Sequence, residues 1–425
     1  MKTIKRLLEA DTRVDGYRVT ETATESCELF FVHKKLETVR ATDTVETAVT
    51  VYVDHDGAKG DSTFAVYRSM GEEEIARKIG DAVSRARLVK NEPYELPAAE
   101  TLDAALPTNM ADEDMRGLAA RIADAVFAAD TLPGGSINAC EIFLYRDTKR
   151  VINSRGLDKT QRSCRVMIEA IPTFTTEAGS VELYEDYRFT EFEPARVTAE
   201  IARRLEEARD RAGAARPETP LTIDVALRPE EISSLAEELA DSLGYGTVYM
   251  QANPFKLGDD LQEGGDGDRL TVTMKAIVPG SDESAFFDAD GSALHDTCVI
   301  ERGVVKAYYG SSRYGQYLGV EVPSGVLPCV EVAPGTLTEA ELTGADYIEC
   351  ASLSGLQVDI YSDYIGGEIR LAYLHRGGKV TPITGITMSA KLSEVLRGLR
   401  LSEKTVTDGA YEGPALLLMK SVAVL

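Results

Sequence analysis

Alternating apolar and polar positions near the start of the chain predict a strand hairpin followed by a helix. Residues 45–53 carry valine or threonine at every second position, which is typical of a strand with one buried face. Residues 54–57, Asp-His-Asp-Gly, supply turn chemistry, so residues 63–67 are expected to pair back as a hairpin. Ser69 and Glu72 have the spacing of a capping box, which predicts a helix immediately after them.

Three amphipathic helices are predicted in the first half, because apolar residues recur there at helical intervals. The three apolar stripes are Ile75, Ile79, Ala82, Val83 and Ala86; Met115, Leu118, Ala119, Ile122, Ala125 and Val126; and Val197, Ile201, Leu205 and Ala208. Together with the hairpin, they predict an N-terminal α+β domain with an antiparallel sheet.

Residues 209–220 are polar, contain two prolines and show no apolar period, so a domain boundary is predicted there. A chain of 425 residues also exceeds what one hydrophobic core usually organises. We therefore predict an N-terminal domain over residues 1–215 and a C-terminal domain over residues 221–425.

The second half begins with a predicted helix and continues as about 140 residues rich in glycine, tyrosine and β-branched side chains. The helix has Ile232, Leu235, Ala236, Leu239 and Leu243 on one face. A last helix is predicted from Met388, Leu392, Val395, Leu396 and Leu399, ahead of an apolar C-terminal strand. This pattern predicts a β-rich, mostly antiparallel domain with a few packed helices, and the whole chain is assigned to the α+β class.

Charge and hydropathy argue against nucleic acid and membrane partners. Seventy acidic and 46 basic residues give a formal net charge of -24, which repels phosphate backbones and anionic lipid. The basic opening at residues 1–9 is not followed by a signal-peptide core, and the apolar stretch at residues 415–425 is interrupted by Lys420. We expect a soluble cytoplasmic protein. Its six cysteines are scattered, which favours buried reduced thiols over disulfides or a cysteine zinc site.

Common catalytic signatures are absent from the sequence, which has neither a G-x-S-x-G elbow nor a complete phosphate-binding loop. Two Gly-x-Gly pairs, at residues 244–246 and 265–267, lack the third glycine of a dinucleotide fingerprint and are interpreted as turns. Residues 54–57 and 288–291 resemble the start of a calcium loop, but neither continues as one, and hairpin turns explain both.

The four histidines, His33, His55, His295 and His375, lie far apart in the sequence. A helical zinc peptidase site needs two imidazoles on one helix, so this chain cannot form one. His295 and Cys298 could gather around a metal with Asp288 or Asp290. If they lie in a strand, however, their spacing points the two side chains to opposite faces.

Several short motifs, in a fixed order along the chain, resemble the TldD/PmbA family, and in particular its TldE-like branch. Each motif is weak alone, and their order carries the resemblance. The motifs are residues 151–157 (VINSRGL), 286–291 (FFDADG), 299–309 (VIERGVVKAYY), 332–335 (VAPG), 353–367 with Tyr361, Asp363, Gly366 and Gly367, 378–387 (GKVTPITGIT) and 413–418 (GPALLL).

The resemblance implies an N-terminal α+β domain, a β-rich C-terminal domain and a dimer that encloses a cavity. It also implies that the zinc of the catalytic branch is held by a His-Glu-x-x-x-His helix and a cysteine near the C-terminus. The matching helix here, residues 229–243, contains no histidine, and no cysteine follows Cys350. Glu230 and Glu231 are interpreted as first-turn residues that suit the helix dipole. No catalytic, cofactor or metal-binding residue is therefore assigned, and no cofactor is expected.

The leading functional hypothesis is a non-catalytic subunit that pairs with a TldD-like zinc peptidase and helps to enclose unfolded peptides for proteolysis or maturation. Isolated, it is expected to form a homodimer of about twice 46.1 kDa. One alternative is a self-sufficient hydrolase that uses residues such as His295, Asp290 and Cys298. The other is a homodimeric peptide-binding protein. The gyrase-related name used for this family is not explained by any residue of the sequence.

Overall fold

In the computed structural model, which describes residues 1–218 and 220–425, the chain folds into two sheet-rich domains with few helices. This is the predicted α+β class. The N-terminal elements are helix α1 (Lys2–Ala10), strands β1 (Gly16–Val32), β2 (Lys35–His55) and β3 (Ala58–Val66), helix α2 (Glu72–Ala86), strand β4 (Thr101–Ala105), helix α3 (Met115–Ala128), strands β5 (Gly135–Asn153), β6 (Asp158–Thr176), β7 (Gly179–Glu182) and β8 (Glu185–Phe189), and helix α4 (Pro194–Gly213).

The N-terminal sheet has the order β3-β2-β1-β5-β6-β4, with β7 and β8 also paired to β6. Apart from the parallel pair β4–β6, its pairings are antiparallel. The predicted hairpin is confirmed, since β2 pairs with β3 across Asp56 and Gly57, whose φ angles are 52° and 75°. Positive φ at both central positions is the geometry of a type I′ turn, which suits an Asp-Gly sequence.

The N-terminal helices cover the sheet with the apolar stripes that the sequence shows. Helices α3 and α4 pack over β5 and β6, while α1 and α2 pack over β2 and β3. The predicted capping box is wrong, because α2 begins at Glu72 behind Gly71 and has no side-chain cap. Ser69 lies two residues before this N-cap and is too early to cap the helix. Three glutamates in the first turn suit the helix dipole instead.

The C-terminal elements begin at residue 221. They are β9 (Leu221–Leu227), α5 (Pro229–Asp241), α6 (Tyr245–Tyr249), β10 (Val272–Lys275), β11 (Thr297–Glu301), β12 (Val304–Val305), α7 (Ser312–Tyr317), β13 (Cys329–Val332), α8 (Glu339–Leu342), β14 (Tyr347–Leu353), β15 (Gln357–Asp359), β16 (Tyr364–Arg376), β17 (Lys379–Ile383), β18 (Ile386–Ala390), α9 (Leu392–Gly398), β19 (Arg400–Leu401), β20 (Thr405–Asp408), β21 (Tyr411–Pro414) and β22 (Leu417–Val424).

These strands form two further sheets, with orders β12-β11-β10-β13-β21-β20 and β14-β9-β22-β18-β16-β15. Strand β14 also pairs with β16, so β14, β9, β22, β18 and β16 form a closed ring. The apolar faces of α5 and α9 belong to the core that these two sheets share. In the part of the chain that is described, no helix is long and apolar enough to cross a membrane.

Two sequence predictions need correction at element ends. Met388 is predicted in the last helix, but it lies on β18 and pairs with Val424. Tyr245 belongs to the short helix α6, which Gly244 precedes as N-cap, so residues 244–246 are not a simple turn. Helix α4 ends at Gly213, within residues 209–220. The domain limits remain a prediction, although the N-terminal sheet shares no strand pairing with the other two in the described chain.

Candidate functional site

A large polar cavity of about 1450 Å³ lies between the two halves of the chain. Strand β8 and helix α4 supply its N-terminal wall. The start of α5, strand β14 and the edge strand β20 supply its C-terminal wall. A cavity of this size exceeds the usual 300–1,000 Å³ of small-molecule pockets, so it has room for a longer ligand such as a peptide segment.

Helix α4 presents two faces, and the polar one forms part of the cavity wall. Its apolar stripe is buried against the sheet, where Ile201, Leu205 and Ala208 have no exposed surface. Charged residues at spacings of three and four along the other face line the cavity as Glu200, Arg203, Arg204 and Arg211. Glu207 also lies on α4 but is buried, with only 3% of its surface exposed.

A continuous series of ion pairs crosses from one domain to the other beside the cavity. The Arg204 guanidinium lies 2.9 Å from the Glu185 carboxylate and 2.7 Å from the Glu207 carboxylate. Glu207 also lies 2.7 Å from Arg228, which in turn lies 2.8 Å from Glu349. We call these five residues the charged chain. Its crossing point is the contact between Glu207 on α4 and Arg228 just before α5.

Within the charged chain, the arginine charges oppose the effect of burial on the pKa values of the glutamates. Burial alone would raise the pKa of Glu207, but the charges of Arg204 and Arg228 lower it below its usual value. At Glu185, burial outweighs the charge of Arg204 and raises the pKa to about 7. The 2.9 Å ion pair favours an ionised Glu185, in opposition to this burial effect. The geometry favours the ionised form at neutral pH, with a proton gained readily on mild acidification.

The charged chain extends to the aromatic pair Tyr347 and His375. The His375 Nε2 atom lies 3.5 Å from the second carboxylate oxygen of Glu349. The imidazole stacks on the Tyr347 ring, with 4.2 Å between ring centroids. The His375 ring is therefore placed by stacking on Tyr347, and its Nε2 atom forms no hydrogen bond within the described residues.

Both glutamates predicted in the first turn of α5 lie there. Glu230 is exposed and lines the cavity, whereas Glu231 is buried, with 7% of its surface exposed. Burial, and then the charge of Glu230, raise the pKa of Glu231 to about 7. The carboxylate of Glu231 in turn acts on the fully buried thiol of Cys350, whose pKa is raised chiefly by burial. Glu231 is therefore a first-turn residue that is also a buried carboxyl with a raised pKa.

The residues of this first turn do not suit a zinc ion. Helix α5 carries no imidazole, and burial raises the pKa of both the nearby Glu231 carboxyl and the Cys350 thiol, whereas metal ligands must be deprotonated. Across residues 1–218 and 220–425, no group of three or more His, Cys, Asp and Glu side chains is arranged to hold a metal ion. The site described here is consequently one of buried charge and polar surface.

The candidate metal group around His295 is not brought together by the fold. His295 lies in an exposed loop before β11 and not within a strand, while the Cys298 thiol donates to the Ile300 carbonyl at 3.3 Å. Asp290 forms an ion pair with Arg18 of the N-terminal domain. The Asp288 carboxylate accepts the backbone N–H groups of Asp290, Ser292 and Val326 at 2.9, 3.0 and 3.3 Å. The interpretation of residues 288–291 as a turn is confirmed, since Asp288 and Ser292 are joined by a backbone hydrogen bond.

The remaining histidines lie on separate elements. His33 is in the turn between β1 and β2, and His55 ends β2, where its Nε2 atom lies 2.9 Å from the Val89 carbonyl oxygen. His375 lies on β16. The described structure therefore places each histidine in a different environment.

Sequence reasoning did not find Arg204, Glu207 or Arg228. One signal was present, because Arg204 and Glu207 have an i,i+3 spacing at the border of the apolar stripe of α4. Such pairs are usually solvated, and nothing in the sequence indicates that Arg228 would meet them from another domain.

Residues 220–424 match the sequence profile of the PmbA/TldA metallopeptidase C-terminal domain. Among curated protein sequences, no significant match was found.

Solved structures resemble the chain along its whole length. One is a proposed modulator of DNA gyrase from Bacteroides thetaiotaomicron, with a TM-score of 0.83 and 15% identity over 100% of this chain and 98% of the other. TldE from Thermococcus kodakarensis has a TM-score of 0.81 and 13% identity over 99% of both chains. A proposed modulator of a DNA gyrase from Thermotoga maritima has a TM-score of 0.79 and 16% identity over 100% of this chain and 99% of the other.

At these identities, the structural likeness shows a shared fold, and the sequence profile gives the family of the C-terminal domain. The predicted resemblance is confirmed by both. Residues 220–424 therefore carry the PmbA/TldA metallopeptidase C-terminal domain, and the chain as a whole shares its fold with TldE from Thermococcus kodakarensis.

Proposed function

We propose that this protein is a non-catalytic, TldE-like subunit that pairs with a TldD-like zinc metallopeptidase and helps to enclose unfolded peptides. The observation that supports the proposal most is the combination of a TldE-like fold with a helix α5 that bears no histidine. The expected site of action is the cytoplasm.

The interdomain cavity supports the peptide part of this proposal. It has space for a peptide segment, and its walls offer charged side chains, hydroxyl groups and the edge strands β8 and β20. Such a surface suits an extended chain that carries both backbone hydrogen-bonding groups and charges. The net charge of -24 argues against direct binding of DNA.

The self-sufficient hydrolase is the less favoured function. Asp290 is held by Arg18 and Cys298 by its own strand, so neither is positioned to activate His295. A hydrolytic site at these residues would need the loop of His295 to move toward them.

Elemental analysis and a peptidase assay of the isolated chain test the non-catalytic role. We expect no stoichiometric zinc after dialysis against a weak chelator, and no cleavage of casein. About one tightly bound zinc per chain would overturn the proposal. So would chelator-sensitive cleavage that persists after host peptidases are removed, and its loss in His295→Ala would locate the site.

A further inference from the structure

Most basic side chains that line the interdomain cavity have an acidic partner. Arg188 lies 2.9 Å from Asp186, and Lys404 lies 3.3 Å from Glu339. The Arg196 guanidinium is likewise 2.9 Å from the Glu200 carboxylate. Arg203, Arg204 and Arg228 share Glu207. These pairs leave little positive charge for a ligand.

Two arginines of the cavity differ from this pattern. Within residues 1–218 and 220–425, neither Arg211 nor Arg370 has a carboxylate within 4.0 Å. Arg211, in the last turn of α4, donates one hydrogen bond to the Glu182 carbonyl oxygen at 3.0 Å. Arg370 is exposed on β16. Each arginine comes from a different domain, and both face the same cavity.

The end of α4 is fixed against β16, which keeps the two arginines near each other. Directly before Arg211, the carboxylate of Asp210 accepts a hydrogen bond from the Tyr373 hydroxyl of β16 at 3.0 Å. Burial lowers the pKa of Arg211, and the positive charge of Arg370 lowers it further. Glu368 acts in the opposite direction, but its carboxylate lies more than 4.0 Å from both guanidinium groups and accepts the Ser354 hydroxyl at 3.2 Å.

The charge of the exposed Arg370 acts on the half-buried Arg211, and an anion bound between the two arginines would relieve this repulsion. Guanidinium groups suit a carboxylate especially well, because their N–H groups match its two oxygens. We propose that Arg211 and Arg370 form a binding site for the carboxylate of a peptide within the interdomain cavity. The peptide part rests on the proposed function, whereas the carboxylate part rests on the two arginines.

Basic residues at a helix C-terminus also stabilise the helix dipole, and Arg211 has this position. That explanation does not apply to Arg370, which lies on a strand. A binding test must therefore include Arg370 by itself, as a variant that leaves α4 unchanged.

Binding of three fluorescent, N-acetylated octapeptides of alanine, glycine and serine to the isolated chain tests the site by anisotropy. The first ends in a free carboxylate, the second in an amide, and the third in an amide but with one internal glutamate. We expect the free acid, the glutamate peptide or both to bind about tenfold more tightly than the neutral amide. Tighter binding of the first peptide would show that the site takes a C-terminal carboxylate. Tighter binding of the third would show that it takes the carboxylate of an acidic side chain.

Arg211→Gln and Arg370→Gln should each remove most of this preference while leaving the weak binding of the amide unchanged. Arg376→Gln is the matched control, since Arg376 is an exposed arginine on the same strand and lies outside the cavity. It should bind all three peptides as the unaltered chain does.

Equal binding of the three peptides, no binding of any at about millimolar concentration, or full preference in Arg370→Gln would each overturn the inference. These measurements use the isolated chain. A negative result would therefore overturn the carboxylate site without bearing on association with a zinc peptidase.

Discussion

Two of the contacts between the domains are built on different principles. One is the charged chain, in which arginines and glutamates alternate on either side of the buried Glu207. The other, which we call the apolar contact, consists of Val151, Leu157, Phe287 and Gly291. Val151, Leu157 and Phe287 form one small buried cluster, in which each side chain is at most 2% exposed.

The apolar contact depends on shape. Gly291 has a φ angle of 84°, and an added Cβ atom would lie 2.7 Å from Leu157 Cδ2. The turn of residues 288–291 can therefore approach the N-terminal domain only because glycine occupies this position. The buried Asp288 carboxylate fixes the turn by accepting backbone N–H groups on both sides of it.

The stability of the charged chain depends instead on the presence of each charged partner. Glu207 is tolerated inside the protein only while its arginine partners remain, because an unpaired buried charge is strongly unfavourable. The comparison shows that the stability of one domain interface can depend on charge and pH at the charged chain and on side-chain volume at the apolar contact. These sensitivities can be separated by mutation.

Removal of Glu207 should have the largest effect. Glu207→Gln leaves Arg204 and Arg228 without the carboxylate that they share, so we expect the free energy of unfolding to fall by about 3–5 kcal/mol. Urea and thermal unfolding at neutral pH measure the loss. Asp81→Asn, which breaks the exposed Arg77–Asp81 pair of 3.3 Å on α2, is the control and should cost at most about 0.5 kcal/mol. A loss in Glu207→Gln as small as the control's would contradict the role of the charged chain.

The next effect concerns pH at Glu231, beside the charged chain. Its pKa is raised to about 7 in the folded protein, so the native state holds more protons than the unfolded chain from about pH 4.5 to 7. The resulting contribution to stability is present at low pH and is lost as the pH rises through 7.

Glu231→Gln stays neutral at every pH. We therefore compare the free energy of unfolding of this variant with that of the unaltered chain. Their difference should shift in favour of the variant by about 3 kcal/mol as the pH is raised from about 4 to about 9. Glu237→Gln, exposed on the same helix, should follow the unaltered chain. Parallel pH profiles for Glu231→Gln and the unaltered chain would show that Glu231 is ionised at neutral pH.

The apolar contact should respond to volume and not to pH. Gly291→Ala is expected to cost about 1–3 kcal/mol more than Gly280→Ala, because Gly280 has a similar φ of 82° but open space around it. Both losses should be independent of pH. Equal losses in the two variants would show that the domains can separate slightly at this contact without penalty.

Sequence patterns predicted those parts of the fold that depend on local spacing. The stripe of α4 and the hairpin of β2 and β3 follow from periods of 3.6 and 2 residues, which the core then uses directly. Met388 was misassigned because its spacing to Leu392 fits a helix, whereas pairing with Val424 places it in a strand. The closed ring of β14, β9, β22, β18 and β16 has no local signature, since it joins distant segments.

The candidate site was predicted less well for the same reason. Arg228 meets Glu207 across 21 positions of sequence, and Glu349 meets Arg228 across 121. The helix dipole explains Glu230 and Glu231 equally in the sequence, whereas the fold exposes Glu230 and buries Glu231 near the fully buried Cys350. The presence of a charged residue in the sequence does not show whether the fold will bury its side chain.

The central claim, a non-catalytic subunit that acts with a zinc peptidase, is tested most directly by association. The isolated chain should scatter light as a dimer of about twice 46.1 kDa. Mixed with a TldD-like chain that carries the His-Glu-x-x-x-His helix, it should form a heterodimer whose cleavage of unfolded peptides requires both chains. A monomer at micromolar concentration that neither binds such a chain nor changes its peptidase activity would contradict the claim.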